Sequence, residues 1–170
     1  MTKKVKVMKE SGPVRIYLGR QNVPEGFTKA SYDANSIKWN HKADSVDEVI
    51  CEHIFHLVSG PQRGQFMDDL CRILKSGGKV LVTVPYYSHM RAVQDFMHAW
   101  PPVCEASFLY FNKQWREVNK IEYPMTCDFD FTYGYQADPE TATKNDETRN
   151  FWIKHYTNAV TDLQVALTKK

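Results

Sequence analysis

The pattern of hydrophobic positions predicts alternating strands and helices in the first half of the chain. Short apolar runs at residues 14–18 ("VRIYL"), 47–53 ("DEVICEH") and 79–84 are typical of buried strands. Apolar side chains recur at helical spacing over residues 59–78, where Gly77 and Gly78 are predicted to stop a helix. Strand, helix, glycine turn and strand form a βαβ unit, so we expect a parallel sheet with right-handed crossovers.

The second half predicts two further strands. Residues 127–135 ("CDFDFTYGY") alternate aromatic and polar side chains, and residues 158–168 ("NAVTDLQVALT") also have a strand pattern. Two late strands close together indicate an antiparallel pair near the C-terminus. The predicted fold class is therefore α/β, a Rossmann-like, mostly parallel sheet flanked by helices.

The segments around these late strands have weaker signals. Residues 90–100 ("MRAVQDFMHAW") predict a helix, and residues 107–118 ("SFLYFNKQWREV") predict a short helix with a strand as the alternative. Residues 136–150 are polar and predict a loop or insertion.

Composition narrows the class of protein. The 170 residues predict a single domain, and a net charge of +2 does not indicate a nucleic-acid binder. No apolar run reaches membrane-spanning length, and the first residues lack the apolar core of a signal peptide. Four scattered cysteines without a CxxC pair predict reduced thiols in a cytoplasmic protein, with no disulfide framework and no metal site.

Two motifs in the middle of the chain resemble a known family. Residues 32–58, with Asp33, Trp39, "DSVDE" and His53, are followed by residues 66–88, with "LKSGG" and a strand ending in "VP". This order resembles the class I S-adenosylmethionine-dependent methyltransferases, and it is most similar to their type 11-like group. The resemblance covers roughly residues 14–111 and, more loosely, the C-terminal strands. It implies an S-adenosylmethionine cofactor and leaves the methyl acceptor open.

The resemblance implies a cofactor site made of Leu18, Gly19, Gln21, Asp33 and Glu52. The family's glycine-rich turn lets the cofactor pass close to the backbone. Here Gly19 is present, but Gln21 stands where the next glycine is expected. Either Gly19 turns the chain and Gln21 contacts the ligand, or the turn simply ends a strand. The cofactor loop is in that sense degenerate.

Asp33 has two interpretations within the family pattern. Aligned with Trp39 and "DSVDE", it is the acid on the adenine side, and the ribose-binding acid is missing. If it instead ends the second strand, it binds the ribose hydroxyls, and the third strand is missing. In both cases the interval from Gly19 is short for the family, which normally holds a helix and two strands there.

Candidate catalytic residues follow the predicted strands. Ligands of open α/β sheets bind outside the carboxyl ends of the strands, where His53 and Tyr86 are expected. His53 is a candidate general base. Asp95 and His98 have the spacing of an Asp–His pair that reaches the site, although a plain amphipathic helix gives the same pattern.

Two functions remain open. The first is an S-adenosylmethionine-dependent methyltransferase with an unknown acceptor. The second is a methyltransferase-fold protein that has lost catalysis and acts as a binding or assembly partner, for which the altered glycine turn is the motive. A shortened domain of this kind favours a homo-oligomer that covers an exposed edge, and its compactness would suit a phage or bacterial source.

Overall fold

The computed structural model describes residues 12–30 and 39–170, which fold around a six-stranded sheet. Its strand order is β2-β1-β3-β4-β6-β5. The first four strands are mutually parallel, whereas β6 is antiparallel to both of its neighbours. The predicted α/β class, with its antiparallel pair near the C-terminus, is confirmed. The strands are β1 (Arg15–Leu18), β2 (Thr28–Lys29), β3 (Val46–Glu52), β4 (Leu74–Pro85), β5 (Phe129–Ala137) and β6 (Val160–Lys169).

The helices connect these strands. They are α1 (Gly60–Ile73), α2 (Lys113–Val118), α3 (Pro139–Ala142) and α4 (Asp146–His155), with 3-10 segments at Phe55–Leu57, Met90–Ala92 and Glu105–Phe111. The longest, α1, has a proline in its first turn and buries the apolar stripe that the sequence predicts. None of the helices in residues 12–30 and 39–170 has the length and apolarity that a membrane span needs.

The hydrophobic core lies on one face of the sheet. Phe55 is fully buried and sits at the centre of an aromatic cluster. Its ring centroid is 5.7 Å from that of Phe66, 5.6 Å from that of Phe108 and 6.0 Å from that of Phe111. These rings join α1 and the 3-10 segments to the strands, and they lie close to the carboxyl end of β3.

The opposite face of the sheet is open to solvent. Lys79 and Leu81 of β4 and Gln164 and Ala166 of β6 are exposed, in alternation with buried neighbours. Parallel sheets are usually covered on both faces, and one solvated face is more typical of antiparallel sheets. Towards the carboxyl edge this face is covered, because Thr83 and Asp162 are buried and Tyr17 of β1, which the register places in line with Leu81, is only 1% exposed.

The connection from β1 to β2 is unusually short for parallel strands. Residues 19–27, all of them described, contain no helix. Such crossovers normally take a dozen or more residues. Nine residues are enough here because only two residue pairs join the strands, Ile16 with Thr28 and Tyr17 with Lys29. An extended chain of nine residues spans up to about 30 Å, far more than the return distance along so short a ladder.

The prediction that Gly77 and Gly78 stop the helix is wrong. The chain leaves α1 at Leu74, whose backbone is already extended and whose side chain is fully buried beside Val46. The glycines instead lie in an irregular stretch of β4, between the Val46–Leu74 and Glu48–Lys79 pairs. Gly77 has a φ of 74°, which a glycine adopts without strain.

The helix predicted for residues 90–100 is also wrong, because only Met90–Ala92 form a 3-10 turn. Two hydrogen bonds compete with a helix. The backbone N–H of Met97 donates to the side chain of Asp95, and that of Ala99 donates to the His56 carbonyl. The apolar side chains of this segment stay exposed, so no packing favours a continuous helix.

The loop predicted for residues 136–150 is replaced by α3 and the first half of α4. Asp138 and Asn145 cap the two helices, since their side chains accept hydrogen bonds from backbone N–H groups of the first turns. No residue of α4 is fully buried, so its polar composition is that of an exposed helix. Residues 107–118 are helical as predicted, with Asn112 as the cap of α2.

Substitution of Phe55 by alanine tests the aromatic core. We expect Phe55→Ala to lower the free energy of unfolding by about 3–5 kcal/mol, because a cavity replaces a fully packed ring. Val118→Ala is the control: Val118 is 75% exposed, and its loss should change stability by less than about 0.5 kcal/mol. Urea unfolding followed by circular dichroism measures both, and equal effects would contradict the described core.

Candidate functional site

The candidate site lies at the carboxyl edge of the parallel strands. Gly19 follows β1, Glu52 ends β3 and His53 follows it, and Tyr86 follows β4. Because β6 runs antiparallel, its early residue Asp162 reaches the same edge, where it pairs with Pro85. The topology thus gathers residues that are far apart in sequence, as expected for this class of sheet.

Tyr17 occupies the space beside the glycine turn. A Cβ atom added to Gly19 would clash with Tyr17 Oη and would lie 2.5 Å from Tyr17 Cζ. A larger residue at position 19 would therefore have to displace the Tyr17 ring, independently of any ligand. The obstacle is the far end of a side chain and not backbone.

The Tyr17 hydroxyl joins two of the predicted cofactor residues. It donates a hydrogen bond of 2.6 Å to Glu52 Oε2 and accepts one of 3.1 Å from the backbone N–H of Gln21. Burial, followed by the hydrogen bond to Glu52, raises the pKa of Tyr17 above its ordinary value, so the phenol remains a donor. Gly19, Gln21 and Glu52 thus surround one phenol.

Of the other two predicted cofactor residues, only Leu18 is among the described residues. The side chain of Leu18 packs in the hydrophobic core below the edge. Asp33 lies outside the described residues. The short strand β2 ends at Lys29, four residues before Asp33. Both interpretations of Asp33, and its contact with the cofactor, stay predictions.

His53 is held in an uncommon backbone conformation. Its φ is 51°, in the left-handed region that non-glycine residues rarely adopt, and its N–H donates to the Thr83 carbonyl at 2.9 Å. Residues in such conformations cluster at functional sites and cost about 1–3 kcal/mol each. The turn directs His53 towards Asp162 of β6, with 3.9 Å between Nδ1 and Oδ1.

Asp162 is a buried carboxylate that sequence reasoning missed. It is 4% exposed, and its Oδ2 accepts a hydrogen bond of 3.0 Å from Arg91. Its Oδ1 has no hydrogen-bond partner in the structure and faces His53. A carboxylate inside an apolar strand is rare unless paired. The aspartate within "VTDLQVAL" was the one signal that could have revealed it.

Two more histidines extend the cluster. His56 and His98 meet edge to face, with 4.4 Å between ring centroids, and His56 lies 6.2 Å from His53. Nδ1 of both rings is buried without a hydrogen-bond partner. The predicted Asp95–His98 pair is close, with 3.9 Å between Asp95 Oδ2 and His98 Nε2. Burial first, and then the charges of His98 and His53, lower the pKa of His56 from 6.5 to about 3.

Tyr86 belongs to a separate network. It is buried and stacks against Tyr87 and Tyr135. Burial, followed by the charge of Glu105, raises the pKa of Tyr86 far above its ordinary value, and a hydrogen bond to Tyr135 adds to the shift. The structure therefore brings His53, Asp95 and His98 together but sets Tyr86 apart from them. The catalytic role of each stays a prediction.

Side chains suited to a metal ion do not converge here. Across residues 12–30 and 39–170, no three His, Cys, Asp or Glu side chains come together in a way that could hold a metal ion.

The buried His56 makes stability depend on pH. Between about pH 6.5 and pH 3 the unfolded chain binds a proton at His56 that the folded chain does not bind. Its stabilising effect is therefore complete above pH 6.5 and is lost progressively below. In urea unfolding, we expect the free energy of unfolding to fall less in His56→Leu than in the wild type when the pH is lowered from 7.5 to 5. His155→Leu, on the exposed face of α4, should keep the wild-type dependence, and an unchanged slope in His56→Leu would contradict the burial.

Comparison with known proteins identifies the fold. A family model described as "Methyltransferase domain" matches residues 14–82, from β1 into β4. A SAM-dependent methyltransferase from Archaeoglobus fulgidus is 11% identical, with a TM-score of 0.58, over 93% of this chain and 87% of that chain. A putative methyltransferase from Bacillus halodurans is 12% identical, with a TM-score of 0.46, over 94% and 92%. No curated protein matches the sequence.

A third similar structure is the geranyl diphosphate C-methyltransferase of Streptomyces coelicolor, in complex with Mg²⁺, geranyl diphosphate and S-adenosyl-L-homocysteine. It is 10% identical, with a TM-score of 0.48, over 85% of this chain and 53% of that chain. At such identities the likeness of structures shows the fold alone. The family match over residues 14–82 and the shared fold together confirm the resemblance to class I S-adenosylmethionine-dependent methyltransferases seen in the sequence.

Proposed function

We propose that the protein is an S-adenosylmethionine-dependent methyltransferase whose acceptor gives up a proton to His53. The observation that carries this proposal is the buried Asp162 carboxylate, which lies between the partly exposed side chains of Arg91 and His53 at the carboxyl edge of the sheet. A buried carboxylate with one unpaired oxygen, beside a histidine in a strained conformation, is costly for stability. Such an arrangement is typical of catalytic sites.

The acid–base function of these residues follows from their charges. Arg91 donates a hydrogen bond to Asp162 Oδ2 and forms an ion pair with that carboxylate. Asp162 Oδ1 then orients the His53 ring and stabilises the imidazolium that forms when His53 takes a proton. Nε2 of His53 remains for the acceptor. Since His56 stays neutral down to about pH 3, it adds no competing positive charge at neutral pH.

The residues of the glycine turn fit the cofactor in their chemistry. Glu52 offers carboxylate oxygens to the hydroxyls of a ribose. Gly19 has no side chain, so a ligand can come close to its backbone on that side. Gln21 adds an amide at the same turn. Residues 19–27 contain no helix, so the site offers no helix N-terminus to the ligand and relies on side chains. The phenol of Tyr17 fills the space beside Gly19, and only its rotation can clear it.

S-adenosylmethionine, when bound, supplies a methyl group already activated by its positively charged sulfur. Glu52 and Asp33 would hold the nucleoside, and Gly19 and Gln21 would contact the remainder. His53 then needs only to hold the acceptor and remove its proton.

Calorimetry with S-adenosylhomocysteine tests the cofactor site. We expect the wild type to bind, and Asp33→Ala to weaken binding by roughly 1–3 kcal/mol because ribose hydroxyls lose their acceptor. Glu117→Gln is the control, since Glu117 lies exposed on α2. Unchanged affinity in Asp33→Ala would show that another acid binds the nucleoside. Failure of the wild type to bind either S-adenosylmethionine or S-adenosylhomocysteine at millimolar concentration would contradict the proposed enzyme.

The second candidate is a methyltransferase-fold protein without catalysis that acts in assembly. One observation favours it: residues 90–100 expose a cluster of large apolar side chains, among them Phe96 at 94% and Trp100 at 79%. Contiguous apolar surface of this kind marks interaction sites. A second copy of the chain is the occupant we propose, because the homo-oligomer would cover this cluster on both partners.

Sedimentation velocity tests the assembly candidate. We expect the wild type to sediment as a dimer and the Phe96→Ser, Trp100→Ser double variant to sediment as a monomer, because self-association loses its apolar contact. Tyr133→Ser, on the exposed side of β5, is the control that should remain dimeric. A monomeric wild type across the accessible concentration range would count against this candidate.

A further inference from the structure

We propose that Tyr17 is the gate of the cofactor site and sets its affinity. The inference rests on the proposed function, because it concerns the same glycine turn. In the closed state, which the structure shows, the phenol covers Gly19 and engages Glu52. In the open state the phenol leaves Gly19, and a nucleoside takes its place.

The closed state is held by specific contacts. Tyr17 donates to the carboxylate of Glu52 and accepts from the backbone of Gln21, so both residues are engaged while the phenol is in place. A hydrogen bond to a charged acceptor is stronger than one between neutral groups. Tyr17 is 1% exposed, although Lys79 and Leu81 on the same face of the sheet are exposed.

In the open state, the Tyr17 ring can lie over the neighbouring strands β3 and β4. Tyr17 is in register with Ile50 of β3, which is in register with Leu81 of β4, and Leu81 is 37% exposed. Rotation about the side-chain bonds of Tyr17 moves the ring over this solvated face, where apolar side chains can receive it. The backbone of β1 need not move, because only the end of the Tyr17 side chain obstructs Gly19.

The chemistry of the ligand matches that of the gate. Glu52 accepts a hydroxyl hydrogen bond from Tyr17 in the closed state, and a ribose diol brings hydroxyl donors of the same kind. The ribose hydroxyl of the ligand thus replaces the Tyr17 phenol as the hydrogen-bond donor to Glu52. The observed affinity is lowered by the fraction of molecules in which the gate is closed, since only the open state binds.

Tyr17→Phe is the direct test, because it keeps the ring but removes the hydrogen bond to Glu52. We expect S-adenosylhomocysteine to bind about tenfold more tightly to Tyr17→Phe than to the wild type in calorimetry, since a closed state weakened by one charge-assisted hydrogen bond is less populated. Tyr133→Phe is the matched control and should bind as the wild type does. Tyr133 lies half exposed on the edge strand β5.

A stability cycle tests the contact itself without any ligand. Gly19→Ala should destabilise the wild type in urea unfolding, because the new Cβ meets the phenol. The same substitution should cost less in a Tyr17→Leu background, where the shorter side chain ends before Gly19. Equal losses in both backgrounds would overturn the gate, because Tyr17 would then not occupy the space beside Gly19.

The results separate the gate from the proposed function. If the wild type and Tyr17→Phe bind S-adenosylhomocysteine equally, the gate is overturned and the enzyme proposal stands. If neither they nor a folded Tyr17→Leu variant binds it at millimolar concentration, the cofactor site itself fails, and the gate fails with it. Binding by the variants that exceeds binding by the wild type supports both.

Discussion

The short connection between β1 and β2 is the constraint on which the site depends. Residues 19–27 return the chain to a parallel neighbour without a helix. A helix in this place would cover one sheet face and would point its N-terminus at a ligand's negative groups. Without it, the sheet is open on that face, and the turn after β1 must be stabilised by other means. Tyr17, Glu52 and Gln21 supply them through two hydrogen bonds to one phenol.

The part of the site proposed to face the methyl acceptor is held together by different contacts. It is assembled where β6 runs back beside β4, so that Asp162 meets His53 and Arg91. Buried groups with unpaired atoms, such as Asp162 Oδ1 and Nδ1 of His56, lower stability. The aromatic cluster around Phe55 offsets this loss through well-packed apolar contacts. The core thereby supports a polar cluster that would be unstable alone.

Much of the fold could be predicted from periodicity. The alternation in residues 127–135 and the apolar runs of β1, β3 and β4 reflect burial on one face, which local sequence records directly. The helices at residues 139–155 were missed because they bury little and depend on caps at Asp138 and Asn145. The segment at residues 90–100 has helical spacing, but tertiary hydrogen bonds to His56 and Arg63 decide its course.

The site was predictable only where a residue follows a strand. Glu52 and His53 were found because the carboxyl end of a strand is a general place for ligands. Tyr17 and Asp162 were not, because each looks like an ordinary strand residue until its distant partner, Glu52 or Arg91, is known. Their partners lie 35 residues away for Tyr17 and 71 residues away for Asp162, beyond the reach of any local pattern.

A crystal structure of the chain with S-adenosylhomocysteine tests the central claim most directly. We expect a ligand hydroxyl to donate a hydrogen bond to Glu52 and the backbone of Gly19 to contact the ligand. We also expect the Tyr17 phenol to be displaced over the open sheet face. A bound ligand at this edge with the 2.6 Å hydrogen bond from Tyr17 to Glu52 intact would contradict the claim.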